Sequence, residues 1–93
     1  SDIFNRLAEI GAKINLMQNS ALSFSILVDT EKVNIETILN TFQSDYEVRY
    51  NEGLELVTIR HYDQATIDRV TVEKDILLEQ FSRQTARIVM KDR

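Results

Sequence analysis

The amino-acid sequence predicts an α+β fold, on three observations. Apolar residues recur at helical spacing near the N-terminus, again after Asp29 and again after Asp63. Short alternating or β-branched runs lie between these stretches. There are two glycines and no proline, so element boundaries rest on Gly11, Gly53 and polar clusters.

Residues 2–10 place Ile3, Phe4, Leu7, Ala8 and Ile10 at helical spacing, and Gly11 follows where a left-handed residue commonly ends a helix. Residues 13–17 alternate, with Ile14 and Leu16 on one face and Asn15 and Met17 on the other. Residues 22–28 are rich in strand formers, so the two runs predict a β-hairpin. A second helix opens after Asp29, with Thr30 or Asn34 as its N-cap and Val33, Ile35, Ile38, Leu39 and Phe42 as its apolar stripe. It ends near Ser44 and Asp45.

The stretch "DYEVRYNEG" alternates Tyr46, Val48 and Tyr50 against Glu47 and Arg49, which predicts a strand with one wet face. Asn51, Glu52 and Gly53 supply a turn before the strand "LELVTIRH". A helix is predicted over residues 63–81, with Ile67, Val70, Ile76, Leu77 and Phe81 buried. Val72 and Leu78 fall off that stripe and mark Thr71 as a point where the helix can break. The last strand is "TARIVMK", where Arg83, Arg87, Lys91 and Arg93 alternate as on a protected edge strand.

The first five elements therefore follow a ferredoxin-like βαββαβ pattern without its opening strand, and the last three form a shortened β-α-β copy. The expected division is a first domain over residues 1–52 and a partial second one over 53–93. An incomplete pattern leaves strand edges unpaired, so the chain is expected to be a fragment, a dimer, or both.

With 93 residues the chain can form one small domain or two half-sized units, too little for a catalytic domain with its own cofactor site. A net charge of −4 argues against a phosphate-tracking surface, hence against nucleic acid. The absence of cysteine removes disulfides, thiolate metal sites and cysteine nucleophiles. The longest apolar run, Ile26-Leu27-Val28, is far too short for a membrane span, and the first residues lack the pattern of a signal peptide. A soluble, cytoplasmic protein is expected.

Few residues suggest chemistry. His61 reads as a strand-end residue without evident partners, and the carboxylates Glu52 with Glu55, or Asp68 with Asp75, read as solvated faces. The glycines lie too far apart for a phosphate loop. Phe24, Tyr46, Tyr50 and Tyr62 read as packing residues rather than a base-stacking platform. The group Gln18-Asn19-Ser20 stands out because amides, a hydroxyl and a strand end offer donors and acceptors that suit a zwitterion, although Asn19-Ser20 also suits a plain hairpin turn.

Two longer stretches, "LAEIGAKINLMQNSALSFSILVDTEK" and "LNTFQSDYEVRYNEGLELVTIRHYD", resemble the C-terminal regulatory region of aspartate kinase, a tandem pair of ACT domains. Its most specific parts here are "INLMQNSALSFSILVD" and "VRYNEGLELVTI". The resemblance implies a βαββαβ effector-binding module. Such a module is attached to a kinase domain that uses ATP and Mg to phosphorylate aspartate, and it mediates feedback inhibition. No catalytic residue, metal or cofactor is expected in this chain itself. The implied partners are an amino-acid effector, lysine or threonine, a second copy joined by ACT pairing, and the parent kinase domain. The implied effector site comprises Ile14, Asn15, Gln18, Asn19 and Ser20. Other family contacts would come from a loop before Ser1. Lysine-sensitive relatives tend to carry carboxylates where this chain has Asn15 and Ala21, which points to a neutral effector such as threonine or to weak sensitivity. The alternative is a purely structural dimerisation module with a degenerate site.

Overall fold

A computed structural model describes residues 2–93. The chain is α+β, with three helices and two small antiparallel sheets among the described residues, an arrangement compatible with a small ferredoxin-like fold. It divides into two compact units, Ser1–Arg49 and Tyr50–Arg93. No helix among the described residues is long and apolar enough to cross a membrane.

The first unit opens with helix α1, Asp2–Glu9. Its end is closed as a Schellman motif. The Gly11 N–H donates to the Ala8 carbonyl at 3.1 Å and the Ala12 N–H to the Leu7 carbonyl at 2.9 Å, with Gly11 at φ 75°. Strands β1, Lys13–Asn19, and β2, Phe24–Asp29, pair antiparallel as the predicted hairpin, with a bulge between Ile14 and Leu16. Helix α2, Ile35–Phe42, is capped by Asn34, whose Oδ1 accepts from the Thr37 N–H at 2.9 Å. Leu7, Val33, Ile38 and Phe42 form the buried centre, with Ile14, Ile26 and Val28 of the hairpin packed against it.

Arg6 fastens α1 to the end of α2. Its Nη1 donates to the Thr41 carbonyl at 3.0 Å and its Nη2 to Asp45 Oδ2 at 2.6 Å, while the guanidinium lies 5.9 Å and 5.7 Å from the Phe42 and Tyr46 ring centres. The hydrogen bond to Asp45 holds the Arg6 pKa above its ordinary value. The Tyr46 hydroxyl donates to Asp2 at 3.0 Å, which raises the phenol's pKa.

The second unit runs β3, Glu55–Arg60; α3, Gln64–Val70; β4, Lys74–Phe81; and β5, Thr85–Asp92, with strand order β3-β5-β4. Asp63 caps α3, accepting from the Thr66 N–H at 2.7 Å, and this bond lowers its pKa. Ile67, Ala86, Ile88 and Met90 are buried together, with Val57, Ile59 and Tyr62 against them.

Five expectations are corrected. The helix expected over residues 63–81 stops at Val70. Thr71 turns its hydroxyl back to the Ile67 carbonyl at 2.8 Å, Glu73 takes φ 58°, and the chain reverses into β4. The leucines of "KDILLEQF" favour a helix, but pairing with β5 overrides that preference. Of the positions expected to be buried there, Ile67 is, whereas Ile76, Leu77 and Phe81 are 43%, 38% and 51% exposed. The second unit is accordingly β-α-β-β and not β-α-β.

The last strand is central, because β3 and β4 both pair with it, so its basic residues do not guard an edge. Finally, residues 46–50 alternate in sequence yet join neither sheet: Val48 packs on the core, but among the described residues no neighbouring strand completes a ladder. Alternation specifies which side chains turn inward, and a strand also requires a partner.

The two units share a repeated segment. In α1-β1-β2 and α3-β4-β5 the hairpins match residue for residue at an offset of 62, pairing Ile14 with Val28 in one and Ile76 with Met90 in the other. The bulges coincide, between Ile14 and Leu16 and between Ile76 and Leu78. Gly11 and Glu73, at the same offset, both have positive φ.

Candidate functional site

The residues implied as an effector site all lie on one hairpin, but they do not converge. Ile14, Asn15, Gln18 and Asn19 belong to β1 and Ser20 begins the turn. At about 3.3 Å per strand residue, Ile14 and Ser20 stand about 20 Å apart. Ile14 packs into the helix-covered core. Asn15 sits at the bulge, a distortion that re-aims a side chain, and is half-buried. Gln18 and Asn19 are exposed and point to opposite faces, Gln18 beside Ser25 and Asn19 beside Phe24.

Ser20 is accounted for by the turn. Its N–H donates to the Ser23 carbonyl at 2.9 Å, its Oγ accepts from the Ser23 N–H at 3.1 Å, and the two hydroxyls are 2.7 Å apart. The second unit repeats this arrangement. There the Ser82 N–H donates to the Thr85 carbonyl at 2.9 Å and Ser82 Oγ accepts from the Thr85 N–H at 3.2 Å. A serine followed three residues later by a hydroxyl residue is thus how this chain closes a hairpin.

The repeat separates architecture from the features peculiar to one unit. Gln18 and Ser20 have identical counterparts, Gln80 and Ser82, so the hairpin alone explains them. Asn15 and Asn19 correspond to Leu77 and Phe81, and these two asparagines are the polar side chains that the hairpin does not require.

The other candidates disperse. Glu55 pairs with Lys74, which also meets Asp92; those two carboxylates raise the ammonium pKa, Asp92 the more strongly. Asp68 accepts from Gln64 at 2.8 Å and Asp75 from Arg93 at 3.1 Å, so each of the two is engaged by a different partner. Phe24 meets Phe4, Tyr46 meets Phe42, and Tyr62 meets Phe81, which makes three separate ring pairs and no shared platform. His61 takes φ 53° at the end of β3, with its N–H bonded to the Gln84 carbonyl. Among the described residues no group of three or more histidine or carboxylate side chains is placed to hold a metal.

One place that sequence reasoning missed is a hollow of about 250 Å³ in the first unit, lined by Gly11, Lys13, Asp29, Glu31 and Lys32. Its two sides lie far apart in sequence, and only the pairing of β1 with β2 brings them together. Comparison of the chain with protein-family models, with curated proteins and with solved structures gives no match.

Proposed function

We propose that the chain is an amino-acid-binding regulatory segment of the kind its sequence resembles, the tandem ACT region of an aspartate kinase. The observation that carries this reading is the repeat: one helix-hairpin unit occurs twice, with the same bulge, the same turn and the same left-handed step. In the second unit β3 lies along β5. A strand placed in the same way along β2 would give the first unit that β-α-β-β order, as a ferredoxin-like ACT domain requires.

On this reading the segment senses and does not catalyse. An effector that binds one arrangement of the parent enzyme better than another shifts the balance by at most that difference, typically about 1–3 kcal/mol. Lysine, threonine and methionine are the ligands to try, with Asn15 and Ala21 favouring a neutral one. Thermal unfolding of the 93-residue chain in rising concentrations of each is the test. A ligand that binds only the folded chain adds about 2.7 kcal/mol at a hundredfold excess over Kd, so the midpoint rises and keeps rising with concentration. An unmoved midpoint with all three removes the sensing role.

A second reading, a structural dimerisation module, is favoured by a different observation. Edge strand β4 exposes Ile76, Leu77 and Phe81, an apolar row beside unpaired backbone groups. Light scattering tests it, and a monomer well above micromolar concentration removes it.

A further inference from the structure

We infer that the hollow bounded by Gly11, Lys13, Asp29, Glu31 and Lys32 is a binding site for a free α-amino acid, whose carboxylate meets the two lysines and whose ammonium meets Asp29 and Glu31. The ligand's class rests on the sensing reading above; its place does not, since none of these residues belongs to the site that the resemblance implies.

Charge is the first support. Two lysines, an aspartate and a glutamate line a space of about 250 Å³, yet among the described residues no ion pair within 4.0 Å joins them. Lys13 and Asp29 stand opposite each other in the strand register and still leave their charges apart. A ligand with one charge of each sign satisfies both sets, whereas a simple anion or cation faces two groups of its own sign. The volume lies below the roughly 300–1,000 Å³ of pockets for drug-sized molecules and fits a single amino acid.

The repeat supplies the second support. At the same offset, Gly11, Lys13, Asp29 and Glu31 correspond to Glu73, Asp75, Lys91 and Arg93. In the second unit the counterparts close on themselves. Arg93 Nε donates to Asp75 at 3.1 Å and the Arg93 N–H to the Glu73 carbonyl at 3.2 Å. In the first unit Glu31 instead donates its N–H to Asp29 Oδ1 at 3.0 Å, which fixes the loop, and both residues line the space without an ion pair. Gly11 adds no side chain, and a Cβ built there would meet no atom within 4 Å. The charges that one unit joins in an ion pair, the other leaves apart.

The test is a titration of the 15N-labelled chain with threonine, lysine and methionine, followed by amide chemical shifts, on the native sequence and on the double variant Lys13→Met, Lys32→Met. The expected result is saturable movement of Gly11, Lys13, Asp29, Glu31 and Lys32 with one Kd. Affinity should fall about a hundredfold in the double variant, the size of two charge-assisted hydrogen bonds at about tenfold each. Movement centred on Asn19 and Ser20 with Gly11, Asp29 and Lys32 silent overturns this site and leaves the sensing reading standing. Equal affinity in the double variant overturns it as well. No movement with any of the three overturns both.

Discussion

Gly11 and Glu73 hold the same left-handed step, φ 75° and 58°, each between a helix and a bulged strand. The same backbone move is therefore made once by the residue suited to it and once by a residue that resists it. The move sets the angle at which each hairpin meets its helix, so both units keep it whatever side chain occupies the position.

Gly11→Ala should destabilise the first unit by about 1 kcal/mol, since the cost is backbone strain alone with no atom near the added methyl. Glu73→Gly should change stability in the opposite direction. Urea denaturation checks both, and a Gly11→Ala variant as stable as the native chain contradicts the assignment.

Arg6 works through the shape of its guanidinium, which reaches Thr41 and Asp45 at once and lies near two rings. Arg6→Lys should thus lower the thermal midpoint nearly as much as Arg6→Ala does. Full recovery by lysine would mean that only the charge matters.

Asp63 gives the second unit a signed pH dependence. The Thr66 N–H holds its pKa below the ordinary carboxylate value, so the cap's charge stabilises the fold above about pH 4 and this contribution is lost as pH falls through the depressed value. Asp63→Asn keeps an N-cap but cannot titrate. The loss of stability between neutral and strongly acidic solution should therefore be smaller in the variant, measured by chemical denaturation at each pH. An identical loss would remove Asp63 from the account.

Ser20→Ala and Ser82→Ala should each cost about 1 kcal/mol, the size of one hydrogen bond, because the two turns are built alike. Neither should change amino-acid affinity. Loss of binding in the Ser20 variant alone would return that hydroxyl to the site.

Much of the fold was legible because its signals are local. The stripe of Ile3, Leu7 and Ile10, the left-handed Gly11, the Asn34 cap and the alternation of β1 each depend on neighbours within a few residues. The failures came where a partner decides. Residues 74–81 read as helix until β5 pairs with them, and residues 46–50 read as strand although no strand among the described residues pairs with them. A shortened copy was legible, but its hairpin and register were not, because so few aligned side chains agree, Ile14 with Ile76, Leu16 with Leu78, Gln18 with Gln80, Ser20 with Ser82 and Ile26 with Ile88, while the register agrees throughout. The charged hollow was hidden for the same reason, since strand pairing alone brings Lys13 to Asp29.

Calorimetric titration of the chain with threonine, lysine and methionine tests the central claim most directly. Amino-acid sensing predicts saturable heat for at least one of the three, weakened by added salt because the charged groups around the hollow are largely exposed. Flat titrations for all three would contradict it.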